Sequence, residues 1–415
     1  MSKALSPTRR TVLAGLAASA SSATLSTRLA AQPAAVKVGF VLPLTGPFAE
    51  AGQLQKEACD MAVEDINAAG GIKSLGGAPI EPVYGSYQTE VAEANTETER
   101  LLSEGVVGLI GPYSSGVAIA GTVIAERAKV PYLVPNALSD EITSRGLQYT
   151  FKTVPHVSQF AIDAADVVAM LDAKAGVTSS TCCVIRVDDF FGNVVGTQFE
   201  RILPEKGFTV LDDVAHPQSP TTLEDVILRV KAADPDVVFA AGEPAAITLL
   251  FQQLKELDYW PKNGWVGVGG GYSNSVTHKN LGPIAEELVC INDWFPGINR
   301  PGAAELNARF KERAGVDMLG NANTTYAGVW IFAAGIENAA STDPTAIRDA
   351  LSTLDLTEGP AMFMYERVAF DPSGMMQNST NVAAQIKGGT ASVIWPEGMS
   401  SAEALWPVPG WANRG

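Results

Sequence analysis

Short apolar runs and longer segments with helical spacing alternate along the chain. Val36 to Leu44 is a run rich in Val, Leu and Phe, which predicts a first strand. Ala49 to Ala69 carries apolar residues three or four positions apart, which predicts a helix that ends at Gly70-Gly71. The alternation continues with strands over 80–87, 106–110 and 131–134 and helices over 91–104 and 117–128. Such strict alternation is typical of a parallel, doubly wound α/β sheet.

A second series of the same kind begins near residues 151–155. It predicts helices over 159–171, 223–232 and 244–257 and strands over 181–187, 208–214, 237–241 and 265–268. Three helical segments follow, over 303–313, 325–339 and 345–354, and then two closing segments over 362–370 and 382–394. Two series of similar size predict two α/β lobes. We expect the C-terminal helices, which lack matching strands, to be shared between the lobes.

The turns at the predicted strand ends are rich in Gly, Ser and acidic residues. They are Gly111–Gly116, Asn136–Ser139, Asp188–Gly192, Gly242–Glu243 and Gly269–Tyr272. In open α/β sheets the loops at the carboxyl ends of the strands face one crevice. The turns therefore predict a ligand cleft between the lobes, although strand-to-helix turns are commonly rich in such residues.

The turn Gly111–Gly116 leads directly from a strand into a helix. Free backbone N–H groups, serine hydroxyls and the positive end of the helix dipole favour a bound anion at such a place. We therefore predict that it grips a carboxylate-like or amide-like group. The alternative is that Ser114 or Ser115 is only the N-cap of the helix.

The N-terminus has the features of an export signal. Thr8-Arg9-Arg10-Thr11 is a twin-arginine pattern, a small and apolar stretch follows from Val12 to Leu25, and Leu29-Ala30-Ala31 precedes Gln32. This order predicts a cleaved twin-arginine signal peptide over residues 1–31 and a soluble periplasmic protein; the alternative is a disordered basic tail. No Cys lies near the expected cleavage point, so we do not expect a lipoprotein anchor.

Charge and motifs narrow the classes of function. The first 31 residues hold four of the 29 basic residues and no acid, which leaves 25 basic and 45 acidic residues and a net charge of −20. Such a surface repels nucleic acid and anionic lipid. The four Cys residues lack metal-ligand spacing, and the three His residues are scattered, so we expect buried thiols, no metal and no cofactor. One disulfide is possible, but the sequence does not assign it.

The sequence carries neither a nucleophile elbow nor a phosphate-binding P-loop, so we expect no enzymatic activity. Gly267–Gly271 resembles a dinucleotide loop only superficially, because we expect a Ser/Asn-rich segment rather than a helix after it. An enzyme acting on a small carboxylate stays an alternative, with Asp188-Asp189 as acid and base groups.

Several motifs occur in an order that resembles one known family. They are Val38–Ala49, Ile66–Ile72, Gly111–Gly116, Asp188–Gly192 and Phe370–Gly374. Over residues 36–395 the chain resembles the leucine/isoleucine/valine-type periplasmic solute-binding proteins of ABC transporters. The resemblance implies a type I periplasmic-binding-protein fold, with two doubly wound α/β lobes, three crossover strands and a ligand cleft. It places lobe I at 36–152 plus 296–360, lobe II at 153–295 plus 361–395, and a tail at 396–415.

The resemblance also implies a function and a set of ligand-binding residues. The protein would be a monomer that captures a branched-chain or other hydrophobic amino acid, or a related carboxylate or amide, by hinge closure, and would deliver it to ABC permease subunits at the inner membrane. A ligand-sensing receptor domain of the same fold, acting through a separate partner, is the alternative. Ser115 would hold the ligand carboxylate and Phe191 would cover the ligand. The full set is Tyr113, Ser114, Ser115, Ala137, Leu138, Ser139, Phe191, Glu243, Tyr272 and Tyr326.

This sequence departs from the amino-acid binders at two positions. Leu138, with Ser139 next, stands where they carry a Thr, and a run of Gly stands near Gly270 where they carry an acid that pairs with the ligand ammonium. Because a buried, unpaired ammonium is costly, either Glu243 or Asp189 substitutes for that acid, or the ligand lacks an α-ammonium.

Overall fold

The first five strands form one parallel sheet. In this computed structural model, which describes residues 1, 33–319 and 321–413, they are β1 (Val36–Leu42), β2 (Ile80–Ser86), β3 (Leu109–Ile110), β4 (Tyr132–Val134) and β5 (Thr150–Lys152), in the order β2-β1-β3-β4-β5. Met1–Pro33 are a separate unit, of which only residues 1 and 33 are described. The predicted signal peptide therefore lies outside the described residues.

The second sheet has seven strands. They are β6 (Thr181–Val187), β7 (Thr209–His216), β8 (Val237–Ala241), β9 (Gly264–Val268), β10 (Val289–Asn292), β13 (Val382–Lys387) and β14 (Thr390–Trp395). Between β10 and β13 in the chain, β11 (Asp355–Leu356) and β12 (Val368–Ala369) form a separate two-stranded sheet. Their order is β14-β13-β10-β9-β8-β6-β7. The strands β6 to β10 are parallel, whereas β13 and β14 add an antiparallel hairpin at one edge.

Helices cover both sheets and divide the molecule into two lobes. We call the five-stranded sheet with its helices lobe I and the seven-stranded sheet with its helices lobe II. Lobe I carries α1 (Ala49–Ala68), α2 (Val91–Ser103), α3 (Ser115–Ala128) and α4 (Glu141–Ser144). Lobe II carries α5 (Val157–Ala175), α6 (Phe190–Glu205), α7 (Glu224–Ala233), α8 (Pro244–Glu256) and α9 (Ser275–Leu281). The helices α10 (Ala303–Ala314), α11 (Ala322–Ala339) and α12 (Pro344–Ser352) return to lobe I, where α11 packs on α1.

The described chain passes between the lobes at three places, after β5, after β10 and after β12. The first and third crossings touch, because the Lys152 backbone N–H donates to the Gly374 carbonyl at 2.8 Å and the Met376 N–H donates to the Lys152 carbonyl at 2.8 Å. Two doubly wound lobes joined in this way are the predicted type I fold. The residue boundaries of the lobes stay a prediction.

The segment after β9 differs from our expectation. We predicted no helix after Gly267–Gly271, but α9 begins at Ser275. The Asn274 side chain accepts hydrogen bonds from the N–H groups of Val276 and Thr277. The Ser/Asn-rich stretch is therefore a helix cap, because a short polar side chain satisfies the free N–H groups of a first turn.

The cores follow the two-faced sheets, with apolar clusters on both faces of each lobe. All four cysteines are buried free thiols, as predicted. The segment after β14 packs on lobe II, where the Trp406 indole N–H donates to Asp172 Oδ1 at 2.7 Å. Among the described residues, no helix is long and apolar enough to cross a membrane.

Candidate functional site

A small cavity of about 40 Å³ lies between the two lobes. Its walls come from the carboxyl ends of β3, β4, β6, β8, β9 and β10, as expected for an open α/β sheet. The residues around it are Phe48, Tyr113, Ser114, Ser115, Asn136, Leu138, Asp189, Phe191, Gly242, Glu243, Gly270, Gly271, Asn292, Asp293 and Asn321.

The lobe I wall is built around the start of α3. Ser114 occupies the N-cap position, but its side chain makes no capping hydrogen bond, and Ser115 is already the first helical residue. The simple N-cap explanation therefore does not account for these two serines. The Ser115 hydroxyl oxygen accepts a hydrogen bond from the Ser139 N–H at 3.3 Å, which leaves the hydroxyl proton free to be donated.

The loop before α3 is held by a buried tyrosine. The Tyr87 hydroxyl oxygen accepts hydrogen bonds from the N–H groups of Tyr113 at 3.2 Å and Ser114 at 3.3 Å. These two N–H groups are therefore already partnered. The unpaired N–H groups of the first turn of α3 and the hydroxyls of Ser114 and Ser115 are what lobe I offers a ligand.

The lobe II wall carries carboxylates. Asp189 is the N-cap of α6 and accepts a hydrogen bond from the Gly192 N–H at 2.8 Å. Asp293, at the second crossing between the lobes, accepts one from the Asn323 amide at 3.3 Å. Glu243 is only 6% exposed, and its Oε2 accepts a hydrogen bond from the Tyr113 hydroxyl at 2.8 Å. This last bond joins the two lobes across the cavity.

Burial dominates the electrostatics of these acids. It raises the pKa of Glu243 to about 8, although the hydrogen bond from Tyr113 opposes the shift. It raises the pKa of Asp293 to about 7, against the opposing effects of Asn323 and Lys152, and it also raises the pKa of Asp189. Among the described residues that line the cavity, none is Lys, Arg or His. The cavity therefore combines neutral donors on one side with carboxyl groups on the other.

The run of glycines after β9 brings the lobes together. A Cβ atom at Gly270 would lie 2.6 Å from Asn321 Oδ1, at the start of α11 on lobe I. Leu138 and Phe191 both lie within 3.6 Å of the Cβ position at Gly269 and form the apolar side of the cavity. At Gly270, where the amino-acid binders carry an acid, the absence of a side chain therefore leaves room for Asn321.

The structure brings six of the ten predicted ligand-binding residues to the cavity. They are Tyr113, Ser114, Ser115, Leu138, Phe191 and Glu243. Ligand contact by these residues stays a prediction.

The other four predicted residues do not line the cavity. The Tyr272 ring packs against Gly267 in the core of lobe II, and its hydroxyl oxygen accepts a hydrogen bond from the Trp265 indole at 3.3 Å. The Tyr326 hydroxyl donates to Asp65 on α1 at 2.7 Å. Ala137 is buried in the core of lobe I, and the Ser139 N–H donates a hydrogen bond to the Ser115 hydroxyl oxygen.

Several lining residues were not in the predicted set. Asn292 is the last residue of β10, a four-residue strand that the sequence pattern did not predict, and Asp293 follows it. Asn136 and Asp189 lie in turns that were singled out, and Phe48 lies in the first loop. The rule that polar residues after parallel strands face the cleft would have found Asn136 and Asp189. It finds neither the apolar Phe48, nor Asn292 and Asp293 without β10, nor Asn321, which is the N-cap residue of α11.

Comparison with known proteins identifies the family. The family model described as "Periplasmic binding protein" matches residues 35–390. The chain belongs to this family. A curated relative of this periplasmic binding protein, the Leu/Ile/Val-binding protein homolog 7 of Brucella abortus (strain 2308), is 30% identical over 397 residues, which cover 93% of this chain and 97% of the relative.

Two solved structures show the same fold. One is the branched-chain amino acid transporter substrate-binding protein LivJ of Streptococcus pneumoniae in complex with isoleucine, with a TM-score of 0.75, 21% identity and coverage of 87% of this chain and 100% of that one. The other is a solute-binding protein of an ABC transporter of R. palustris in complex with benzoate, with a TM-score of 0.75, 18% identity and coverage of 91% and 97%. At these identities the likeness establishes the type I fold of this periplasmic binding protein, not its ligand.

Proposed function

We propose that this periplasmic binding protein captures a small amino-acid-like solute, a branched-chain or other hydrophobic amino acid or a related carboxylate or amide. The observation that carries the proposal is the cavity between the lobes, with Ser114 and Ser115 at a helix start on one side and Glu243 on the other. A helix N-terminus with free hydroxyls suits a carboxylate or amide oxygen. The apolar contacts of Leu138 and Phe191 suit a hydrocarbon side chain.

The solute binds first to lobe I at Ser115, and the lobes then rotate about the three crossings to enclose it. Closure brings Glu243 within hydrogen-bond distance of Tyr113, so it also completes the second wall of the site. Such hinge closure shifts an existing equilibrium, because the closed form binds the solute better.

The test is identification of the solute followed by affinity measurements. Ligand released from the purified protein is analysed by mass spectrometry, and a thermal-shift panel of amino acids, aromatic acids, amides and urea-like solutes follows. A bound solute raises the melting temperature in proportion to the logarithm of its concentration over Kd. If no small organic solute co-purifies and none in the panel raises the melting temperature, solute capture is wrong.

We further propose that residues 1–31 direct twin-arginine export to the periplasm and that the closed protein delivers its solute to ABC permease subunits at the inner membrane. Support comes from the Arg9-Arg10 pair and the small-residue stretch that follows it. The variant with Arg9→Lys and Arg10→Lys should stay in the cytoplasm with its leader uncleaved. Periplasmic recovery of that variant at the wild-type level would contradict the twin-arginine route.

A further inference from the structure

The charges around the cavity restrict the solute more narrowly than the proposed function does, and the following inference rests on that function. Three carboxyl groups, from Asp189, Glu243 and Asp293, line the cavity, and none of the described residues that line it is Lys, Arg or His. A negatively charged solute would disfavour ionisation of these carboxyl groups, and its own charge would meet no cationic partner among the residues that line the cavity. A solute that brings a positive group is bound favourably.

Two of the three carboxyl groups already have structural partners. Asp189 accepts the Gly192 N–H at the start of α6, where the helix dipole also favours a negative charge. Asp293 accepts the Asn323 amide, and the buried Lys152 lies near enough to lower its pKa. Both acids are therefore balanced, at least in part, without a solute.

Glu243 has no such balance. Its Oε2 accepts a single hydrogen bond from the neutral Tyr113 hydroxyl, and its Oε1 accepts none from the described residues. The nearby Asp189 raises its pKa further. A buried carboxyl group with one neutral partner, 6% exposed and lining a cavity, lacks a cation.

We propose that the solute carries a protonated nitrogen and that Glu243 pairs with it. Glu243 would thus replace the acid that amino-acid binders carry near Gly270, where this chain has a run of glycines. Since Ser115 lies on the opposite lobe, a solute with a carboxylate at one end and an ammonium at the other spans both walls. Nitrogen-free acids, such as benzoate or an aliphatic carboxylate, lack the second contact and are selected against.

Pairing with a cation also changes the protonation of Glu243. Its pKa of about 8 means that the carboxyl group is mostly protonated at pH 7 in the empty cavity, and a bound cation favours the charged form. The titratable groups that surround it are Tyr87 and Tyr113 from lobe I, Asp189 after β6 and His216, which lies against Gly242. Binding at pH 7 should therefore release up to one proton, which calorimetry in two buffers of different ionisation enthalpy detects.

The test separates solutes by charge before their identity is known. A small-molecule extract is passed at pH 2 over a sulfonate cation exchanger, which retains amino acids as cations and lets nitrogen-free acids through. We expect the retained fraction to raise the melting temperature of the full protein and the flow-through to leave it unchanged. Stabilisation by the flow-through alone overturns the proposal. No stabilisation by either fraction contradicts solute capture itself.

Matched probes and variants then test Glu243. L-leucine is compared with 4-methylpentanoate, and L-phenylalanine with 3-phenylpropanoate, because each pair differs only in the α-ammonium group. For the amino acid that binds, or for the purified retained component if neither does, Glu243→Gln should weaken affinity by about 30-fold or more and abolish proton release. Tyr113→Phe, which keeps the carboxyl group, should weaken it by less than Glu243→Gln. Unchanged affinity in Glu243→Gln, or a larger loss in Asp189→Asn, overturns the assignment.

Discussion

The two walls of the cavity are made of opposite chemistry. The lobe I wall offers hydroxyls and the N–H groups at the start of α3, all neutral donors, whereas the lobe II wall offers the carboxyl groups of Asp189 and Glu243. Each lobe alone matches one end of a zwitterionic solute. For the zwitterionic solute proposed above, both ends would be satisfied only when the lobes meet, so we expect affinity to depend on closure.

The largest expected effect comes from a change that displaces the lobe II wall. A Cβ atom at Gly271 would lie 2.0 Å from the Gly242 carbonyl oxygen, next to Glu243. Gly271→Ala should therefore lower the free energy of unfolding by about 3 kcal/mol and remove solute binding. Denaturant unfolding measures the first effect. Gly398→Ala is the control, since nothing lies within 4 Å of its Cβ position. Equal stability of the two variants would contradict the steric argument.

A smaller effect is expected from the lobe I wall. Ser115→Ala removes the hydroxyl that faces the cavity and should weaken solute affinity about 10- to 100-fold, as loss of one hydrogen bond to a charged group does. Calorimetry with the identified solute measures it. Ser352→Ala, the same change on the exposed face of α12, should leave affinity unaltered. If Ser115→Ala binds as tightly as the wild type, the carboxylate end is held elsewhere.

The two walls should also respond differently to pH. In the folded, solute-free protein Glu243 keeps its proton up to about pH 8 and Asp293 up to about pH 7, whereas in the unfolded chain both release it near their ordinary values of 4.5 and 3.8. Through these two groups the folded state binds more protons between pH 5 and 7, which lowers its stability as the pH rises, whereas the lowered pKa values of His156, His216 and His278 oppose this slope. Lys152, with a pKa lowered to about 7 by burial, stays mostly protonated over most of this window in both states.

Glu243→Gln should reduce this pH slope by about 1.4 kcal/mol per pH unit, because it removes one of the protons. Unfolding in guanidinium at pH 5, 6 and 7 measures the slope, and Ser115→Ala, on the uncharged wall, should keep it. A slope that Glu243→Gln leaves unchanged would mean that Glu243 is ionised in the empty cavity.

The smallest effect on solute affinity is expected from a substitution in the C-terminal segment that packs on lobe II. Trp406→Phe removes the hydrogen bond to Asp172 and should cost about 1–2 kcal/mol of stability without altering affinity. Trp395→Phe is the matched control, because that indole donates no hydrogen bond to the described residues. A change in solute affinity in Trp406→Phe would show that the tail acts on the cavity.

Much of the fold follows from local patterns. The runs around Val36–Leu42 and Thr181–Val187 are apolar and bounded by turns, and the structure gives strands there. Local pattern does not decide where a turn residue points. Tyr272 looks like a cleft residue by position, but its ring fills the space above Gly267. Asn321 reaches the cavity only because α11 packs on α1, a contact distant in sequence.

The fastening of the C-terminal segment to lobe II has a practical consequence. The Trp411 indole donates to the Tyr259 carbonyl at 2.8 Å, its ring lies 5.1 Å from that of Trp260, and the Val408 N–H donates to the Asn263 carbonyl at 2.7 Å. A fluorescent protein fused just beyond this segment would be carried rigidly by lobe II. With a dye at the exposed Glu104 of lobe I, energy transfer between the two fluorophores would report closure, and the protein would serve as a fluorescent sensor of its own solute.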